Sequence, residues 1–178
     1  MSGTIIGDKV YIRKALPEDA SIMCKWYSDR EIMKHVGFDK GLSIDPADLQ
    51  KRIANLNDQN QIYIITDENG SPIGECHYNV IGDEVYDIGI KIGELVKQGQ
   101  GYGKDALVAF IPYLINMHGV KKITLSALVE NKRAINLYSG LGFKVTGINE
   151  NSWTDPEGRE RTSIDMELVC QNFGYKTQ

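Results

Sequence analysis

The amino-acid sequence predicts a single α+β domain over residues 1–178, a mixed, mostly antiparallel sheet of about seven strands flanked by about four helices. Three observations carry that expectation. Strand-like runs between residues 61 and 92 are separated only by tight polar turns, which makes an antiparallel meander. Beyond them, two helix-period segments alternate with strand-like runs in β-α-β-α fashion. The chain has one-domain length and an ordinary globular composition, 42% hydrophobic and 25% charged. Such a chain buries about two-thirds of its unfolded surface, so neither metal nor disulfide is needed to hold it.

Residues 9–15 alternate as a strand, and Pro17, Glu18 and Asp19 then open a helix. Proline suits the first helical position, and acidic side chains suit the positive end of the helix dipole. That helix carries Ile22, Met23, Trp26 and Tyr27 at helical spacing, and residues 30–43, polar with Gly37 and Gly41, follow as a loop or broken helix. Pro46 starts a second helix with Leu49, Ile53 and Leu56 on one face. Residues 61–66 and 73–80 form a hairpin around the turn Asp67-Glu68-Asn69-Gly70, and Gly82-Asp83-Glu84 leads into the strand 85–92. A glycine-rich loop, a helix over about 102–118, a strand at 122–129 and a helix over about 132–141 come next. Two strands near 143–150 and 162–169 complete the sheet. Pro112 removes one hydrogen bond inside the helix 102–118 and crowds the carbonyl of Val108. The apolar stripe Ala106, Leu107, Phe110, Ile111, Leu114, Ile115 continues past it, so a kink is expected there, not an end.

Composition narrows the function. A net charge of −4 disfavours nucleic acid as partner, because a basic stripe supplies most of that affinity. Cys24, Cys76 and Cys170 are an odd number without metal-type spacing and read as reduced thiols. His35, His77 and His118 also lack metal spacing, read as ordinary surface or core residues, and no metal is expected. The first residues show neither a basic leader nor an apolar run, and no stretch approaches about 18 apolar residues. A soluble, cytoplasmic protein with no membrane partner is expected.

The most informative stretch is VKQGQGYGK, residues 96–104, with Gly99, Gly101 and Gly103 after a strand and before a helix. Glycine permits positive φ and close backbone approach, and a helix N-terminus offers free N–H groups that suit a pyrophosphate. The plainer alternative is a tight turn with no ligand. A P-loop would need glycine at Gln98 and a hydroxyl at Asp105, and a dinucleotide fingerprint would need glycine at Lys104. Both nucleotide motifs fail.

The pattern Gln98-x-x-Gly101-x-Gly103 resembles the [Gln/Arg]-x-x-Gly-x-[Gly/Ala] signature of the GNAT acetyltransferase superfamily, set between the fourth strand and the third helix. A second block, from Asn131 through Ala134, Tyr138 and Gly142 to Phe143, is similar to the family's N-x-x-A-x-x-x-Y-x-x-x-G-F segment. Read physically, Asn131 is an N-cap, Tyr138 lies two turns on along roughly the same face, and Gly142 is a C′ stop. That much is also a capped helix with a packed tyrosine. The element order over residues 9–169 matches as well.

The resemblance implies a GNAT fold, an acyl-CoA N-acyltransferase and acetyl-CoA as co-substrate. Gln98, Gly99, Gln100, Gly101, Tyr102, Gly103 and Lys104, with Asn131 and Tyr138, would hold the cofactor. The strand 85–92 would splay from 122–129, so that backbone near Ile90 and Ile92 pairs with the pantetheine arm as a pseudo-strand. Lys97, Lys104, Lys132 and Arg133 would meet phosphates unless they are ordinary solvated cations. Tyr138 would protonate the departing thiolate, a sensible match for a phenol of comparable basicity.

An amine acceptor also needs a proton sink. Asp87 interrupts an apolar strand and is the first candidate, and Glu75 on the preceding strand is the second. A structural carboxylate with a water chain is the alternative for either. Residues 67–94 hold seven acidic side chains and one lysine, a field that attracts cationic amines. Trp26, Tyr27, residues 30–43 and residues 150–161 would wall the acceptor, Trp153 serving there or in hairpin packing. The cysteines lie away from both motifs, so attack should be direct, without an acyl-enzyme. The organisation most resembles the branch containing ribosomal-protein N-terminal and spermidine acetyltransferases, which makes the acceptor a small-molecule amine or a protein N-terminus and allows a homodimer. A non-catalytic coenzyme A-binding module would share the loop without needing Tyr138, and an amine-binding protein without cofactor would not keep the glycines.

Overall fold

A computed structural model describes residues 3–174. In chain order the elements are β1 (Ile5–Ile6), β2 (Val10–Lys14), α1 (Ala20–Ser28), α2 (Arg30–Met33), α3 (Pro46–Ala54), β3 (Asn60–Asp67), β4 (Pro72–Gly82) and β5 (Val85–Ile92). Then follow α4 (Tyr102–His118), β6 (Lys122–Leu128), α5 (Lys132–Gly140), β7 (Lys144–Thr154) and β8 (Glu160–Val169). The strands form one eight-stranded sheet in the order β1-β2-β3-β4-β5-β6-β8-β7. Every neighbouring pair is antiparallel except β5 and β6, which run parallel. This is the mixed α+β sheet that the sequence predicts, with one more strand and one more helix. The extra strand β1 has two residues, too few to show a period, and the extra helix α2 is a four-residue piece of the broken segment 30–43.

Local chemistry explains most boundaries. The β3–β4 turn is held by Asp67, whose Oδ1 accepts from the N–H groups of Asn69 and Ser71, with Gly70 at φ +79°. Pro17–Asp19 forms a 3-10 turn before α1, and the Asp19 carboxylate accepts from Leu16 N and, doubly, from Arg13. The helix α4 runs unbroken through Pro112, as its apolar stripe requires. Its N-terminal turn is tied down by Asp105, whose carboxylate accepts from the N–H groups of Asp8 and Lys9 in the β1–β2 connection and of Val10 at the start of β2.

Two apolar clusters sandwich the sheet. On one face α4 packs Ala106, Leu107, Phe110, Ile111 and Leu114 against Tyr63, Tyr78, Ile88, Ile123 and Leu125. Burying the larger of these side chains, such as Leu107, Phe110, Ile111 and Leu114, stabilises by about 1.5–3 kcal/mol each. On the other face α1 and α3 pack Met23, Trp26, Leu49 and Ile53 onto Ile62 and Ile64. That second cluster covers only the β3 side of its face. The rest of the face, over β4, β5, β6 and β8, is left open as a cavity.

Candidate active site

The parallel pairing of β5 with β6 covers only Val85, Tyr86 and Asp87 opposite Lys122, Ile123 and Thr124. Beyond Asp87 the ladder ends, and a slot of about 260 Å³ lies beside the rest of β5. Ile90 and Ile92 line it from β5, the glycine loop closes one end, and Asn131, Arg133, Ala134, Leu137 and Tyr138 line it from α5 and its start. Gln98 spans the mouth: its Nε2 donates to Ile92 O at 2.9 Å, and its Oε1 accepts from Arg133 Nη2 at 3.1 Å.

Gly99 and Gly101 have φ of +73° and +88°, which only glycine adopts without strain. A Cβ at Gly99 would meet nothing within 4 Å, and one at Gly101 only Lys9 Nζ at 3.9 Å. Their conformation, not crowding by the chain, therefore demands glycine, and it leaves the loop backbone bare. The first-turn N–H groups of Tyr102, Gly103 and Lys104 have no intrahelical partner, as at any helix start. A bare loop feeding a helix N-terminus fits a pyrophosphate.

Most of the expected cofactor residues meet in this slot: Ile90, Ile92, Gln98, Gly99, Gly101, Tyr102, Gly103, Lys104, Asn131 and Tyr138. Gln100 does not line it, because its side chain turns back to Val96 O and its own carbonyl accepts from Lys9 Nζ. Lys97 lines the slot, but its ammonium is paired with Asp67 at 2.8 Å. Lys132 is exposed and does not line the slot, so Lys104 and Arg133 are the cations best placed for phosphate.

The second cavity, about 1130 Å³, adjoins the first, and Tyr138 lines both. Asn131 fixes the start of α5 by accepting from Ala134 N at 3.2 Å, and Gly142 ends the helix at φ +101°. The Tyr138 ring, 7% exposed, rests on Phe143 with centroids 5.8 Å apart. Burial pushes its phenol up to about 12. It therefore keeps its proton throughout the neutral range.

The floor of this cavity is a polar row across the sheet. Strand register sets Glu75 opposite Lys91, His77 opposite Gly89 and Asn79 opposite Asp87, all facing the cavity. Asp87 accepts from Thr124 Oγ1 at 2.8 Å, and its carboxyl is raised above the ordinary range, first by burial. Glu75 is more committed. Both its oxygens accept from the Tyr27 hydroxyl, at 2.9 and 2.7 Å, and Lys91 Nζ lies 3.3 Å away. Lys91 also sits over the Tyr27 ring, 4.4 Å from its centroid. This closed triad makes Glu75 a weaker base candidate than Asp87.

Trp26 is not a wall of the cavity. It is 1% exposed, donates to Glu94 Oε1 at 2.9 Å and packs on Gly93, where a Cβ would lie 2.3 Å from the indole. Trp153 is both wall and packing: it lines the cavity while its ring lies tilted against Phe38, at 5.5 Å, and packs on Gly37. Its neighbour Asp155 accepts from Glu157 N, Arg159 N and Arg159 Nε, and Arg159 also reaches Asp39 at 2.7 Å. The β7–β8 turn is thereby buckled to the segment after α2, a link with no signal in the sequence. Burial raises the thiols of Cys24, Cys76 and Cys170, so all three stay protonated and poorly nucleophilic.

The family model described as an acetyltransferase (GNAT) domain matches residues 9–144. The chain belongs to the GNAT acetyltransferase family. It is accordingly an acyl-CoA N-acyltransferase, and the enzymes of its family use acetyl-CoA. Among curated proteins, this GNAT chain is 27% identical over 151 residues to p20 of Bacillus licheniformis, an uncharacterized N-acetyltransferase, covering 82% of the one and 84% of the other. Its fold is shared with a GNAT-family acetyltransferase of Bacillus anthracis at TM-score 0.80 and 16% identity, over 96% of this chain and 100% of that one. It is shared as well with the spermidine N-acetyltransferase of Vibrio cholerae in complex with CoA and spermine, at TM-score 0.80 and 20% identity, over 91% and 96% of the two chains.

Proposed function

We propose that this GNAT enzyme moves the acetyl group of acetyl-CoA to a primary amine by direct attack, with Tyr138 as the general acid. The observation that carries the reading is the position of Tyr138, on the shared wall of the slot and the cavity. A thioester threaded along β5 would reach its reactive end beside this phenol. An amine entering from the cavity meets it there. The free pair of the amine attacks the carbonyl carbon, a backbone N–H of β5 steadies the oxyanion, and the C–S bond breaks as Tyr138 protonates the sulfur. Lys104, Arg133 and the loop backbone around Gly99 and Gly101 hold the phosphates.

The proton sink lies in the polar row, of which Asp87 is the carboxylate end, its raised carboxyl being a better acceptor than an ordinary aspartate. The acceptor is a small cationic amine. Glu75, Asp87 and Asp165 all face the cavity, and the structural neighbour from Vibrio cholerae was captured with spermine. Thiol release against a panel of polyamines, aminoglycosides, amino acids and N-terminal peptides tests the reading. The expected result is turnover confined to polycationic small molecules. Turnover of peptides alone would overturn the acceptor class, and acetyl-CoA binding without turnover of any amine would leave a coenzyme A-binding module.

A further inference from the structure

We infer that His77, seated against the backbone of Gly89, is the group that takes the proton from the acceptor amine. This rests on the reading above and names the member of the polar row that acts. The seat is the first observation. A Cβ on Gly89 would lie 2.3 Å from His77 Cε1, 2.8 Å from Nε2 and 3.1 Å from Nδ1. The imidazole thus occupies the space that any side chain at 89 would need, and the strand pairing of His77 with Gly89 fixes it there.

The second observation is that the ring is free. Among the described residues neither nitrogen of His77 makes a hydrogen bond, whereas both oxygens of Glu75 are held by Tyr27 and Lys91, and Oδ1 of Asp87 is held by Thr124. Unlike His118 Nε2, neither nitrogen of His77 is sealed away without a partner. Both therefore keep some accessible surface, and the ring lines the cavity.

The third observation is the charge around it. Glu75 on β4 and Asp87 on β5 favour the imidazolium, while Lys91 on β5 and Arg52 on α3 oppose it. Burial, the largest influence, holds the ring below the ordinary histidine value near 6.5, so at neutral pH it is uncharged and able to accept. Once protonated it lies between two carboxylates. An imidazole is also a better match to an ammonium than either carboxylate is.

The proton count closes. Two protons leave the nitrogen as ammonium becomes amide. His77 takes the first before attack and passes it to solvent through the cavity. The second offsets the proton that Tyr138 gives the sulfur. The products are amide, thiol and one proton.

The test compares the wild type with His77→Gln and Gly89→Ala, reading thiol release against pH with the best amine of the panel, and the melting temperature with and without acetyl-CoA. His77→Gln should lose roughly a hundredfold or more in kcat/KM at pH 7. It should keep its melting-temperature rise with acetyl-CoA. Its acid limb should give way to a rate that climbs about tenfold per pH unit toward the amine's own pKa. Gly89→Ala retains His77 but removes its seat, and should lose activity in the same sense. A His77→Gln enzyme with wild-type kcat/KM and an unchanged acid limb overturns the inference alone. A wild type that binds acetyl-CoA but acetylates no amine overturns the parent reading with it. NMR titration of the His77 Cε1 proton in the wild type supplies a check that needs no variant: its midpoint should coincide with the kinetic acid limb, and a midpoint well away from that limb refutes the assignment.

Discussion

The two faces of the central strands follow opposite rules. Toward α4, the strands β4, β5, β6 and β8 present Cys76, Tyr78, Tyr86, Ile88, Ile123, Leu125, Met166 and Leu168, all buried and apolar. Toward the cavity the same strands present Glu75, His77, Asp87, Lys91, Ser126 and Asp165. Partly burying polar groups costs free energy unless partners compensate, and a face required only for stability would be covered as Ile62 and Ile64 are, by Leu49 and Ile53. The fold is therefore secured on the α4 face, and the candidate site lies on the other. Substitutions should therefore separate stability from turnover according to the face they touch.

The sharpest break comes from the α4 face. Phe110→Ala empties a fully buried site and should cost about 3–5 kcal/mol, read as a lower urea midpoint, with little change in turnover per folded molecule. Tyr138→Phe should do the reverse. Its hydroxyl has no hydrogen-bond partner among the described residues, so stability should move by less than about 1 kcal/mol. The rate of the chemical step should fall by roughly a hundredfold or more. Full turnover with chemistry rate-limiting would remove Tyr138 from its role. Asp87→Asn should cost about tenfold in kcat/KM near neutral pH and alter the pH profile. An unchanged profile would exclude Asp87 from the proton path.

The smallest effect concerns acid. Burial holds His35, His77 and His118 below the ordinary value near 6.5. As pH falls through about 6.5 the unfolded chain takes up these protons first, so the folded state loses stability across that range. Asp87, with its raised carboxyl, works in the opposite sense only closer to the ordinary aspartate range. Melting temperature should therefore decline from pH 7 to 5. His118→Phe, which removes a buried unpartnered Nε2 from among Tyr78, Tyr86 and Tyr113, should flatten the decline. A melting temperature constant over that interval would contradict the burial effect.

Much of this architecture is legible in the sequence because it is local. The meander follows from short polar turns between strand-like runs, and Asn131 and Gly142 mark α5 by capping chemistry alone. The loop is legible because Gly99 and Gly101 are demanded by backbone conformation. What is not legible depends on distant pairing. Lys97 reads as a phosphate ligand until Asp67, thirty positions earlier, is seen beside it. Trp26 reads as a cavity wall until Gly93 and Glu94 are seen to hold it in the core. His77 shows the same limit. Glu75, His77 and Asn79 alternate along one strand, a polar face written in the sequence, but only register reveals that Gly89 makes room for the ring.

The melting temperature with and without acetyl-CoA is the measurement to make first. At a hundredfold excess over Kd the ligand should add about 2.7 kcal/mol, a rise of very roughly 5–10 °C for a chain of this size. Gly101→Val, which forces a β-branched residue to φ +88°, should abolish the rise relative to its own baseline. No rise at millimolar acetyl-CoA would contradict the assignment of the slot and, with it, the proposed transfer.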